Sequence, residues 1–318
     1  MNPALSVILF TALSGAGYGL LCWSAVVALG GWLGARSLLA AAALALLLVT
    51  LGLLSSLAHL GKPQRAWRAF SQWRTSWLSR EGVAALLTYV PALLFCALLL
   101  PGMLSGTSGD GVLALNALGM LVCIALAVCA VATLYCTAMI YASLKPIPAW
   151  RHRLVVPGYF GFALLGGGLM LAAIASLSGA RVGNGAAIAA IVLAATMTVL
   201  KLRYWSDIDA TPLPLTRGAA VGLPDREVSM FERPHTEANY ITREMAFVVA
   251  RKHARSLRLL SLALFALLPM LCLLSTSLFV NLDAAPWFTV AAIGALAGTF
   301  VERWLFFAQA RHLVTLYY

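Results

Sequence analysis

Gly111–Leu144 reads GVLALNALGMLVCIALAVCAVATLYCTAMIYASL, thirty-four residues without one Lys, Arg, Asp or Glu. A helix of roughly 20 apolar residues already crosses a hydrocarbon core of about 30 Å, so this run is read as a spanning helix. Working outward, uncharged runs of the same kind recur. One ends at Arg36, and others cover Ser37–Gly61, Gly82–Gly109, Leu154–Ala180, Val182–Leu200, Leu259–Leu282 and Ala284–Val301. With 62% hydrophobic and 10% charged residues, the chain cannot clothe a soluble domain in polar side chains. The expected fold class is all-α: a polytopic membrane bundle of eight transmembrane helices forming one domain over 1–318. The helices are expected near 4–33, 37–60, 82–105, 112–143, 154–178, 183–205, 256–280 and 286–310. The first run has no basic region before it and is too long for a secretory h-region, so it reads as a retained helix.

Charge divides the bundle into two unlike ends. With eight spans, both termini share an end with the connections after helices two, four and six. Those connections hold nearly all the Lys and Arg, from Lys62 and Arg65 through Arg258, while the other end has only Arg36 and Arg181. This bias predicts that both termini are cytoplasmic. The net charge of +11 is thus a signal of topology and does not point to nucleic acid. All six cysteines fall in apolar runs without a C-x-x-C pair, so no metal or iron–sulfur cluster is expected in this chain. No two histidines lie inside the membrane to ligate a haem, so none is expected.

The polar chemistry gathers on the basic end. After helix two, Gly61 and Pro63 close one helix and open another, and Trp67, Phe70, Trp73 and Trp77 recur at helical spacing. That pattern predicts a short amphipathic helix in the interface, with Arg65, Arg68 and Arg80 mostly turned away. His59 before it and Glu81 after it bracket one aromatic-rich loop, and both residue types can exchange protons near neutral pH. A long loop between helices six and seven, Trp205–His253, ends in a helical apolar face at Ile241, Met245, Val248 and Val249. It reads equally as a partner surface or a solvated linker. Glu302 and Arg303 near the end of helix eight are expected to snorkel to the interface.

Three stretches resemble the dimethyl sulfoxide reductase anchor family. They are His59-Leu60-Gly61-Lys62-Pro63-x-Arg65-Ala66 with Ser76-x-x-Ser79-Arg80-Glu81; Met139-Ile140-Tyr141-x-Ser143 with Pro148-x-Trp150; and Pro234 through Asn239, Glu244, Ala250–Ala254 and Leu257-Arg258. The longer sixth loop and Trp73–Trp77 lean toward the membrane subunit of the cytoplasmic sulfite-oxidising molybdoenzyme. The resemblance implies an anchor that is not catalytic alone. It would sit beside a molybdopterin catalytic subunit and a four-cluster iron–sulfur subunit, exchanging electrons with quinone (menaquinone or ubiquinone) and carrying no haem. It places the family's functional histidine on His59 and its acidic quinol-site residue on Glu81. Around them, Trp67, Trp73, Trp77, Arg65, Arg68 and Tyr141 are candidate quinone-site residues.

Other readings remain open. A reductase of the DMSO type would run electrons the other way, and a passive scaffold would need no quinone site. A small-solute transporter would use broken helices near the midplane, for which Gly166–Gly168 and Pro269 are candidates.

Overall fold

A computed structural model describes residues 4–58, 60–104, 115–229, 231–232, 253–278 and 283–316. His59 and most of the third motif, including the apolar face at Ile241–Val249, lie outside the described residues. Among the described residues all regular structure is helical, and eight helices are long and apolar enough to span a bilayer. They are α1 (Leu5–Leu29), α2 (Ala35–Leu57), α3 (Trp77–Leu104), α4 (Ala117–Ala142), α5 (Val155–Leu177), α6 (Asn184–Ala210), α7 and α8 (Ala284–Ala308). Helix α7 is built from Ala254–Leu262, a π-helical turn Ala263–Leu267, and Leu268–Leu278.

Helices α1 and α5 are the most enclosed, because glycines let their backbones touch. A Cβ on Gly167 would lie 2.3 Å from the backbone of Gly19 and Leu20. Small residues at helix crossings are the usual means of association where lipid removes the hydrophobic drive. The glycine run in α5 therefore serves packing, within an unbroken helix. Trp23 Nε1 adds a hydrogen bond to the Leu164 carbonyl at 2.9 Å. In α7, Pro269 removes one amide donor and crowds the carbonyl four residues back, at Phe265. The helix absorbs this as the π turn just before it. Opposite that turn, Gly298 of α8 lets Phe265 approach.

Helix α6 runs on to Ala210, and Lys201 within it is 4% exposed. Glu302 and Arg303 do not snorkel, being 1% and 3% exposed. Lys201 Nζ meets Glu302 Oε1 at 2.5 Å, and Arg303 Nε lies 3.5 Å from Glu302 Oε2. The Arg303 guanidinium stacks 3.7 Å above the Tyr159 ring. Buried charge at this depth persists only when paired, and a carboxylate set between two cations satisfies that requirement.

At the basic end, His152 lies in the α4–α5 connection. Its Nδ1 accepts from the Leu154 amide at 3.2 Å, which leaves Nε2 to donate toward Asp207 Oδ2, also at 3.2 Å. Burial holds the imidazole below its ordinary pKa against the pull of Asp207. Nearby, Arg258 forks onto both oxygens of Asp209 and ties the start of α7 to the end of α6.

Candidate functional site

The α2–α3 connection builds the site. Pro63–Gln72 forms a 3-10 helix, opened by a proline whose missing donor costs nothing at a helix start. The Ser79 hydroxyl of α3 donates to the Ala69 carbonyl, and Phe70 packs against Gly82, where a Cβ would come within 2.9 Å of the ring. Arg80 closes the turn by donating to the Trp73 and Arg74 carbonyls. The segment is thereby held against α3 at Ala69 and Phe70, and Arg65, Ala66, Ala69 and Phe70 make its cavity-lining face.

Between this face and the bundle is a cavity of about 870 Å³. The last turns of α2, the start of α3 and the end of α4 line it, joined by the first turns of α1 and the end of α8. That volume falls within the range of small-molecule sites of about 300–1,000 Å³, and the walls are mostly apolar. Three charged side chains break the apolar lining in an informative way: Lys62 and Arg65, both exposed, and Glu81, which is 5% exposed. Glu81 Oε1 has no hydrogen-bond partner among the described residues. A buried carboxyl oxygen left unpaired costs on the order of 1–3 kcal/mol, so its place on a cavity wall calls for a partner that enters from outside the chain.

The inner wall is aromatic. Tyr141 lines the cavity, stacks on Tyr159 at 5.8 Å, and meets Trp150 and Phe307 edge-on at 5.4 and 5.2 Å. Trp150 is fixed by its indole N–H, which donates to the Phe306 carbonyl at 3.0 Å. Aromatic side chains locked this way give the cavity a rigid apolar wall.

The sequence-predicted residues thus divide. Glu81, Arg65 and Tyr141 line one cavity, as do Leu57 and Leu60, which flank His59 in sequence. Trp67, Arg68, Trp73 and Trp77 do not line it. Trp67 and Trp73 are 66% and 53% exposed, each with an arginine near its ring, Arg68 and Arg74 respectively. Trp77 belongs to α3 and packs edge-on against Tyr135, with Arg80 4.3 Å above its ring. These exposed indoles beside guanidinium groups suit the headgroup layer, which is the anchoring role. Sequence reasoning missed Trp150, Phe10 and Phe307 as wall residues. Only Trp150 carried a signal, through the Pro148-x-Trp150 motif.

Residues 1–309 match the DMSO reductase anchor subunit (DmsC) family. The chain belongs to this family. A relative from Allochromatium vinosum, the C subunit of a sulfite dehydrogenase, is 32% identical over 337 residues, spanning 100% of this chain and 99% of the relative. As a member of this family, the chain is the membrane anchor of a molybdoenzyme and works with catalytic and electron-transfer subunits. The family resemblance read from the motifs at His59–Glu81 and Met139–Trp150 therefore holds along essentially the whole chain.

Proposed function

We propose that the anchor binds quinone in the cavity beneath the 3-10 helix and exchanges its electrons with the nearest iron–sulfur cluster of a four-cluster partner subunit. Beyond that partner stands a molybdopterin catalytic subunit. The observation that carries this reading is Glu81, a buried carboxyl residue that has one unpaired oxygen and lines an apolar cavity. A quinone ring needs rigid apolar walls and polar groups at its carbonyls. The Tyr141–Trp150–Phe307 wall supplies the first; Glu81, with Arg65 or Lys62 as donors, fits the second. Quinone, menaquinone or ubiquinone, supplies the two-electron chemistry. This chain's residues orient the ring, exclude water from its inner side and move the accompanying protons. We assign one proton to Glu81 and the other to His59.

Sulfite oxidation is the favoured overall reaction because the sulfite dehydrogenase relative aligns over the full chain. Quinol oxidation for a DMSO-type reductase is the alternative. The basic connections on the face with both termini support a cytoplasmic position for that face, in a bacterial inner membrane. Electrons and protons then enter and leave on one face, so turnover moves no net charge across the bilayer.

The test is Glu81→Gln in the intact complex. Quinone-linked turnover falls on the order of 10²-fold or more, the usual weight of a positioned acid or base, while turnover with a soluble electron acceptor is unchanged. Unchanged quinone-linked turnover in an assembled complex rejects the site.

A further inference from the structure

At the end of the bundle opposite the quinone cavity, a second cavity of about 470 Å³ lies between α1, α5, α6 and α8. Its floor is fully apolar, formed by Leu165, Leu169 and Phe288, each 2% exposed or less. Small residues line it from two helices, Gly168, Ala172 and Ala175 of α5 with Ala186, Ala189 and Ala190 of α6. Small faces normally bring membrane helices together. Here they border a void, so the helices are held apart across a space that hydrocarbon must fill, since an apolar cavity does not hold water.

The rim of this cavity is not apolar. Arg181 lines it from the short α5–α6 connection, together with Trp32 from the α1–α2 connection. Arg181 is one of only two Lys or Arg residues at this end, the other being Arg36. It is exposed and forms no ion pair among the described residues. Trp32 is 70% exposed just after Gly31, whose positive φ of 65° turns the chain there. Both positions lie just beyond the ends of spanning helices, at the height of the headgroups, where tryptophan concentrates. A guanidinium above an apolar slot complements one molecule of the bilayer: a phospholipid with its phosphate on Arg181 and an acyl chain in the slot. An anionic headgroup is the better match, because a zwitterionic one brings its own cation beside the arginine.

We infer that the α1–α5–α6–α8 cavity is a binding site for one anionic phospholipid that seats α6 against the bundle. The site is separate from the quinone cavity, and the inference stands whether or not quinone binds there.

The test compares lipid retained by the purified intact complex after detergent delipidation, measured by mass spectrometry, for wild type, Arg181→Gln and Ala189→Phe. Wild type retains phosphatidylglycerol or cardiolipin over phosphatidylethanolamine, and both variants lower the retained fraction by about tenfold, the weight of one charge-assisted contact. Arg181 is exposed in a connection, so its variant assembles even where the phenylalanine in α6 does not. Equal retention in Arg181→Gln overturns the inference. So does phosphatidylethanolamine retained as well as the anionic lipids, or quinone recovered from wild type and lost from Ala189→Phe while phospholipid stays unchanged.

Discussion

Two glutamates in this bundle are almost equally buried and stand in opposite surroundings. Glu302 is 1% exposed, clasped between Lys201 and Arg303, beside a void of only about 10 Å³. Glu81 is 5% exposed, has an oxygen with neither a hydrogen-bond nor an ion-pair partner among the described residues, and lines a cavity of about 870 Å³. Burial by itself therefore does not separate the two carboxyls. The separation comes from what faces it: two fixed cations in a closed site, or an open cavity with room for a ligand. The first ties α6 to α8; the second leaves chemistry to be completed by something that enters.

The comparison breaks most sharply under matched substitutions. Glu302→Gln leaves Lys201 and Arg303 buried without their carboxylate and costs about 3–5 kcal/mol, read as a lower Tm of the solubilised complex. Glu81→Gln leaves Tm nearly unchanged and acts on quinone-linked turnover alone. If the two variants lose stability alike, Glu81 is structural and the contrast is lost. A smaller effect tests what holds the cavity roof. Ser79→Ala removes the hydrogen bond to Ala69 at a cost of about 1 kcal/mol, and the KM for quinone rises several-fold with little change in kcat. Smaller again is Arg65→Gln. Arg65 is exposed on the cavity rim, so its loss raises KM about two- to fivefold, in keeping with the modest weight of exposed charge; an unchanged KM removes it from the site.

The smallest effect concerns pH. Burial holds His152 below the ordinary histidine value, so the unfolded chain takes up this proton more readily than the folded one. Stability from this site is complete above about pH 6.5, the ordinary histidine value, and declines as pH falls from there through the folded pKa. Thermal melts of wild type and His152→Gln across pH 5–8 check this, with wild type losing more on acidification.

Much of this was legible from residues alone. Long uncharged runs fix eight spans because lipid leaves a backbone no polar partner outside its own helix. The excess of Lys and Arg in alternate connections marks one end, and the spacing of Glu81 behind a Gly-x-Pro start marks where chemistry collects. The aromatic residues of that connection were harder to sort. Trp67, Phe70 and Trp73 look alike in sequence, but only Phe70 turns toward α3, because Ser79 and Gly82 fix which face of the 3-10 helix docks.

The sequence by itself determined the class of fold, the asymmetry of its two ends and the family to which the chain belongs, since these follow from local composition and short motifs. The tertiary structure decided which charges are paired and which wait for a partner. Lys201 and Glu302 stand 101 positions apart, and Arg303 beside Glu302 gave no sign of turning inward. Tyr141, Trp150 and Phe307 form one wall from α4, the α4–α5 connection and α8. Pairing and enclosure are properties of residues brought together across the bundle, and no local pattern along the chain encodes them.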